Sequence, residues 1–402
     1  MDTSQRSDPL VGIVVDGRYR LDAIIATGGM SSVYRGLDLR LDRPVACKVM
    51  DSRYAGDQQF LDRFQREARA VARLKDPGLV AVYDQGLGEH GAGLPYLVME
   101  LIEGGTLREL LRERGPMPPH AVAAVLTPIL GGLAAAHRAG LVHRDIKPEN
   151  VLISDDGEVK IADFGLVRAV AEAKITSTSV ILGTAAYLSP EQVGTGDASP
   201  ASDVYGVGVL AYELLTGTTP FTGDNALTVA YQRMDNDVPP PSAAIAGVPP
   251  QFDGLVLRAT RRNPDDRYAD AAAMLAELHA VVEELALPPF RVPAPHNSAQ
   301  HIASEQFHSR MQQHDHTTQT TAAPPPPPRQ HTREMTRGPD DWERSVSASA
   351  PSQFAGIDID DLEWARQRGR RVALFWTIGI LTLTGLVAAG AWTLGSNLPG
   401  LI

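Results

Sequence analysis

Cysteine is all but missing from this chain. The only one among 402 residues is Cys47, so no intramolecular disulfide can form and a reducing compartment is expected. Positive charge is also in short supply. Lys and Arg number 37 against 48 Asp and Glu, a net charge of −11, which argues against nucleic acid as a partner. The stretch Met1-Asp2-Thr3-Ser4-Gln5-Arg6 carries no apolar run of the kind a secretory leader needs, so the chain is expected to start in the cytosol.

Long charge-free apolar runs are scarce, and one near the end is informative. Val372 to Leu394 holds no charged residue and, at about 1.5 Å per helical residue, is long enough to cross a hydrocarbon core of about 30 Å. Trp376 and Trp392 sit near its ends. Arg366, Arg368, Arg370 and Arg371 crowd its N-terminal side, and no basic residue lies beyond it. The excess of arginine on one side predicts a single-pass cell-membrane protein with everything before residue 372 in the cytoplasm and 395–402 outside. A buried core helix is the competing reading, but no later chain remains to wrap it.

Ahead of this span the chain divides into a short tail (1–18), a compact region (19–285) and a linker (286–371). The compact region opens with β-rich runs, Tyr19 to Ile25, Val33 to Leu37 and Val45 to Met50, broken by Gly, Asp and Pro. Phe60, Phe64, Ala68, Val71 and Leu74 then recur at helical spacing, and helices dominate beyond Leu101. The linker is rich in Ser, Thr, Gln, His and Pro, with a polyproline run from Pro324 to Pro328. From Pro288 to Gln353 it is expected to be disordered, because it buries too little apolar surface to offset its ordering entropy. Its His314-Asp315-His316 reads as solvated chain rather than a metal site. Ile357 to Arg371 is expected to be a short helix with acids at its start and arginines at its end.

The chemistry is concentrated in two strings. His143-Arg144-Asp145-Ile146-Lys147-Pro148-Glu149-Asn150 is succeeded, after a strand-like stretch, by Asp163-Phe164-Gly165. Asp145 suits acceptance of a proton from an attacking hydroxyl, while Asn150 and Asp163 offer the hard oxygens that Mg²⁺ prefers beside phosphate. A charged turn would also use Asp and Asn, but it explains neither the His-Arg-Asp order nor the second string.

Further strings keep the same order along the chain. Ala26-Thr27-Gly28-Gly29-Met30-Ser31-Ser32-Val33 joins the first two strand-like runs, and Val45-Ala46-Cys47-Lys48 lies in the third. Strand alternation puts Ala46 and Lys48 on one face and Cys47 on the other. Leu97 to Gly105 reads as a strand ending in a Gly-Gly turn, and Gly183-Thr184-Ala185-Ala186-Tyr187-Leu188-Ser189-Pro190-Glu191 stands further on.

Together these strings resemble the eukaryotic-type serine/threonine protein kinases, over about two thirds of the chain, and within that family the actinobacterial members. The resemblance implies an α+β, bilobal fold with a small β-rich lobe and a larger helical lobe. It implies ATP and Mg²⁺ (or Mn²⁺) as cofactors and protein Ser/Thr residues as substrates. Lys147 is then the lysine that marks serine/threonine specificity. Lys48 binds the α- and β-phosphates and pairs with an acid on the next helix, for which Glu67 is chosen. The nucleotide is expected against Ile25, Ala26, Thr27, Gly28, Gly29, Met30, Ser31, Ser32 and Val33, with Ala46, Met99 and the backbone of Glu100 and Ile102 around adenine. Ala26 and Ser31 replace two glycines of the family's loop, so a stiffer loop is expected. Thr184 would bridge Asp145 and Lys147, Glu191 would pair with Arg267, and Asp203 would hold the catalytic loop. Arg144 before Asp145 goes with activation by phosphate, expected at Thr176 and Thr178. A homodimer is a further expectation, formed either through the small lobe, as the resemblance implies, or through the small-xxx-small pair Gly385 and Ala389 in the apolar run. The alternatives are a catalytically silent scaffold, which the completeness of Lys48, Glu67, Asp145, Asn150 and Asp163 disfavours, and a small-molecule phosphotransferase.

Overall fold

The computed structural model describes residues 8–88, 93–164, 185–223 and 226–305, with the short pairs 353–354 and 357–358. Alternating apolar and polar residues build an antiparallel sheet from β1 (Val14–Val15), β2 (Tyr19–Thr27), β3 (Ser31–Asp38), β4 (Arg43–Met50), β5 (Val82–Gly86) and β6 (Tyr96–Met99), in the order β1-β2-β3-β4-β6-β5. Val45, Cys47 and Val49 pack with Tyr19, Leu21, Tyr34 and Val98 on one face. Ala46 and Met50 face the main core on the other, the sidedness that strand alternation requires. Pairing sets Lys48 opposite Val33 and Ala46 opposite Met99.

Between β4 and β5 lies α1 (Gln58–Val71). The Asp57 carboxylate caps its start by accepting from the Phe60 N–H at 3.1 Å, and Phe60, Phe64, Ala68 and Val71 are buried along one face. Beyond it, residues 78–80 tie the lobes together. The Ile161 N–H donates to the Gly78 carbonyl at 2.8 Å and the Val80 N–H to the Ile161 carbonyl at 3.0 Å. Glycine is needed at 78, since a Cβ there would fall 2.1 Å from the Pro128 carbonyl oxygen.

The larger lobe comprises β7 (Gly104–Thr106), α2 (Leu107–Arg114), α3 (Pro119–Arg138), β8 (Val151–Ser154), β9 (Val159–Ile161), α4 (Pro190–Gly194), α5 (Pro200–Thr216), α6 (Ala226–Asp235), α7 (Pro250–Ala259) and α8 (Ala271–Glu284). Strands β7, β8 and β9 form a small antiparallel sheet. A capping box between Thr106 and Glu109 starts α2. Leu126, Leu130 and Leu133 of α3, Val207 and Leu210 of α5, and Phe252 and Leu278 fill the core. Among the described residues α3 is the one helix long and apolar enough to cross a bilayer, and 61% of its apolar window is buried; it is the core helix. The expected span, Val372 to Leu394, lies outside the described residues, as does most of the expected linker.

Three boundaries fall elsewhere than expected. The tail 1–18 is not separate from residue 8 onward: Val14 and Val15 pair with β2, Tyr34 donates to Asp8 at 3.0 Å and Tyr96 to Asp16 at 2.7 Å. Leu10, Val11 and Val15 supply apolar cover for the outer sheet face. At the other end, residues 286–305 are packed rather than disordered, with Val292, Ser298 and Ala303 buried. Their anchors are isolated apolar and hydroxyl side chains, too sparse to show as periodicity. Finally, within the separate unit 324–402, Ile357–Asp358 pairs antiparallel with Gln353–Phe354, so the expected helix does not start at Ile357; Phe and β-branched Ile favour strands.

Candidate active site

The segment between α3 and β8 is built around Asp203, a buried acid on α5. Its carboxylate accepts from the backbone N–H groups of His143 and Arg144, each at 2.8 Å. A third bond comes from His137. The Ala271 N–H donates to His137 Nδ1 at 3.2 Å, so the proton sits on Nε2, which donates to Asp203 at 2.9 Å. The same logic fixes His143: the Asp145 N–H donates to its Nδ1 at 3.3 Å, and Nε2–H donates to the Ala162 carbonyl at 2.9 Å. The His143 ring also packs against Phe164 in a tilted arrangement, with centroids 4.8 Å apart and planes at 54°. One buried imidazole thus joins the two strings.

Backbone strain gathers here. Arg144 and Asp163 have φ of 68° and 59°, a region non-glycine residues seldom enter, at a cost of roughly 1–3 kcal/mol each. Arg144 is held from both sides, its N–H by Asp203 and its carbonyl by the Gln192 amide at 3.1 Å.

Asp145 lies half-buried at the centre. Lys147 Nζ is 2.7 Å from its Oδ2, and Asn150 Nδ2 donates both to its carbonyl at 2.7 Å and to its carboxylate at 3.0 Å. Because the amide nitrogen of Asn150 faces Asp145, its oxygen is turned the other way. Lys48 Nζ stands 2.7 Å from Asp163 Oδ1, a buried oxygen that the ammonium meets without a hydrogen bond. The Asn150 oxygen turned away from Asp145 and the buried Asp163 Oδ1 are hard donors, with the Lys147 ammonium beside Asp145 and the Lys48 ammonium beside Asp163. That donor set fits a divalent cation and a polyphosphate.

The glycine-containing loop is a tight hairpin. Ala26 faces Val33 and Thr27 faces Ser32, and the Gly28 N–H donates to the Ser31 carbonyl at 2.8 Å. Ile25, Met30 and Ser31 to Val33 are half-buried, while Ala26 to Gly29 are exposed. Arg53 donates to the Gly29 carbonyl at 2.7 Å, a tether the sequence did not suggest. Ala46 and Met99 are buried opposite each other. Glu100 turns its carboxylate to Lys160, 2.6 Å away, and Ile102 is half-buried. Glu67 is half-buried on α1. Burial pushes the Cys47 thiol up to about 12, the mark of an inert core residue. Gly165, Thr176, Thr178 and Thr184 lie outside the described residues.

Two arrangements support the site from behind. Arg267 grips Glu191 with two bonds of 2.8 Å. Burial pushes the Glu191 carboxyl up, but Arg267 and Ser202 outweigh it and leave it below the usual carboxylate range. The other arrangement escaped the sequence. Arg108 on α2 bonds Glu149 at 2.8 Å, Glu213 at 2.6 Å and the Tyr187 hydroxyl at 2.6 Å, and Tyr187 donates to Glu213. This ties α2, the catalytic loop, α5 and the segment before α4 into one network. Its members are spread from 108 to 213, so no local string advertises them.

The profile of the protein kinase domain matches residues 19–278. The chain is 67% identical over 402 residues to the serine/threonine-protein kinase PknL of Mycobacterium tuberculosis (strain ATCC 25618 / H37Rv), covering 98% of each. It is 46% identical over 264 residues to PknB of the same strain, covering 65% of this chain and 42% of that protein. Among solved structures, the Mycobacterium tuberculosis PknI kinase domain aligns with a TM-score of 0.52 and 26% identity, over 67% of this chain and 97% of that one. The chain belongs to the protein kinase family. It is a serine/threonine protein kinase.

Proposed function

We propose that this kinase is anchored in the cell membrane, transfers the γ-phosphate of ATP to Ser or Thr of proteins, and is switched on by phosphate on its own Thr176 and Thr178. The observation that carries the transfer chemistry is the convergence of Asp145, Lys147 and Asn150 with the Lys48–Asp163 pair. Asp145 takes the proton of the substrate hydroxyl as its oxygen bonds to the γ-phosphorus and the bond to the β-phosphate oxygen breaks. Lys147 beside Asp145 compensates charge on the transferring group. Asn150 holds the Asp145 carboxylate in one orientation through its two bonds. Lys48 binds the α- and β-phosphates, with Glu67 as its helix partner. The oxygens of Asn150 and Asp163 would hold Mg²⁺, which supplies neutralisation of the phosphate oxygens. Adenine lies between Val33, Ala46 and Met99, bounded by the backbone of Glu100 and Ile102.

Arg144 precedes Asp145 and carries the charge that a phosphate of about −1.5 to −2 would seek. Thr176 and Thr178 stand in the segment between Asp163 and Glu191, and trans phosphorylation between two molecules is the route, since a loop seldom reaches its own active site. The test is to incubate the protein with labelled ATP and map its phosphosites. Both threonines should carry phosphate, and the Thr176→Ala/Thr178→Ala double variant should lose at least about tenfold in activity, the scale of one charge-assisted hydrogen bond. Unmodified threonines in active protein would refute the switch.

A further inference from the structure

The chain does not leave the kinase domain after α8. It runs back across it, and its contacts fall on the turn between β8 and β9 and on the residues just past the hinge, the segment 100–103 that joins β6 to β7. At the larger lobe, Arg291 Nε donates to the Asp156 carbonyl at 2.8 Å, and Val292 is buried. Further along, the His296 N–H donates to Glu113 at 2.8 Å and the Ala299 N–H to Glu109 at 2.9 Å. Ser298, fully buried, donates its hydroxyl to the Gly104 carbonyl. His301 lies 3.0 Å from Asp155. At the far end the small lobe joins in. Arg35 on β3, only 9% exposed, donates to Glu103 and to the Ser304 hydroxyl, both at 3.1 Å.

Close packing matches the hydrogen bonds. A Cβ on Gly105 would fall 2.4 Å from Pro295 Cγ and 2.6 Å from Ser298 Cβ. Ala303 is 1% exposed in the helical turn 299–305. Ordering such a stretch costs about 1–2 kcal/mol per residue, so this set of contacts must offset a substantial loss of freedom. This segment thereby holds Gly104 and Gly105 directly, and Glu103 through Arg35 of β3, which bonds both Glu103 and Ser304.

We propose that residues 288–305 form a strap that positions the hinge for nucleotide. By holding Glu103 to Gly105 against both lobes, it fixes the backbone at Glu100 to Ile102 just before them; the inference rests on the reading that this backbone meets adenine. A change in the angle between the lobes must strain the Arg35–Ser304 contact, since Arg35 lies on β3 while Ser298 and Gly104 hold the strap to the larger lobe. The strap is also the chain's route to everything beyond residue 305, so restraint of that later segment acts first on nucleotide affinity.

The test uses the full chain carrying Ala303→Glu, which places a charge at a buried position, or Ser298→Ala, which removes one bond to the hinge. Limited proteolysis reports release of the strap, and steady-state kinetics separates KM for ATP from kcat. Ala303→Glu should expose 288–305 to protease and raise KM for ATP about fivefold or more, with kcat held within about twofold. Ser298→Ala should move KM the same way by less. Unchanged KM after release overturns the proposal, as does a loss confined to kcat or protease protection that Ala303→Glu leaves intact. Failure of the hinge reading is separable. Ala46→Trp would then leave ATP binding untouched in a chain whose strap is intact.

Discussion

At the scale of single residues, what matters is which groups face Asp145 and which face Asp163. The contacts of Lys147 and Asn150 with Asp145 were legible because all three lie in one eight-residue string, where spacing alone limits the geometry. Asp203 is 58 residues past Asp145, and it was placed under the catalytic loop by family resemblance; no local pattern shows it. Arg108 went unseen for the same physical reason. Asp145→Asn should cost at least about 10²-fold in turnover, the lower end for a general base, while ATP binding stays near normal. Lys48→Met should cost at least about 10²-fold as well, the scale for loss of a preorganised charge, but with weakened nucleotide binding. Comparing phosphate transfer with nucleotide binding in both variants separates the two roles. Equal binding defects, or near-normal turnover in either, would count against them.

At the scale of elements, hydrophobic spacing and the Gly, Asp and Pro breaks between runs made β2 to β4 and α1 readable to within a few residues. The strap was not readable, because backbone N–H groups donating to Glu109 and Glu113 leave no trace in composition. The link between α4 and the turn before α8 was readable through Ser189-Pro190-Glu191 and Asn263 to Arg267, and the geometry explains its weight. Arg267 is fully buried in its side chain and meets Glu191 through two bonds. Removing one partner leaves the other buried and unpaired, so Glu191→Ala should destabilise by roughly 3–5 kcal/mol and lower Tm by about 10 °C. The pH dependence has a definite sign. With the folded pKa of Glu191 below its unfolded value of about 4.3, the pair's contribution is whole above that value. It is lost as pH falls through the lower folded one. Acid titration of stability tracked by circular dichroism should be flatter between those limits in Glu191→Ala than in the parent. Parallel curves would show that the pair is not what acid breaks.

At the scale of the whole molecule, the bilobal arrangement came from the order of the strings, since a sheet ending in Met99 and a larger lobe starting with β7 at Gly104 leave only residues 100–103 to connect them. The limits of the kinase region did not, because both ends are held by contacts between distant segments: Asp8 to Tyr34 at one, Ser304 to Arg35 at the other. Residues 8–305 therefore carry the contacts that hold the kinase domain together, and the proposed membrane attachment would rest on Val372 to Leu394. The two jobs should be separable. A chain ending at residue 365 keeps the strap and the catalytic strings but loses the arginines and the apolar run. It should be soluble and transfer phosphate with the KM for ATP of the full chain. The full chain should sediment with membranes and resist high salt, because burial of a spanning helix is not an electrostatic attraction, and it should be released by detergent. Attachment through Arg366, Arg368, Arg370 and Arg371 to anionic lipid would behave oppositely, since salt screens such contacts beyond a few ångströms. Release of the full chain by salt alone, or retention of the shortened chain in a washed membrane pellet, would show that the apolar run is not the anchor.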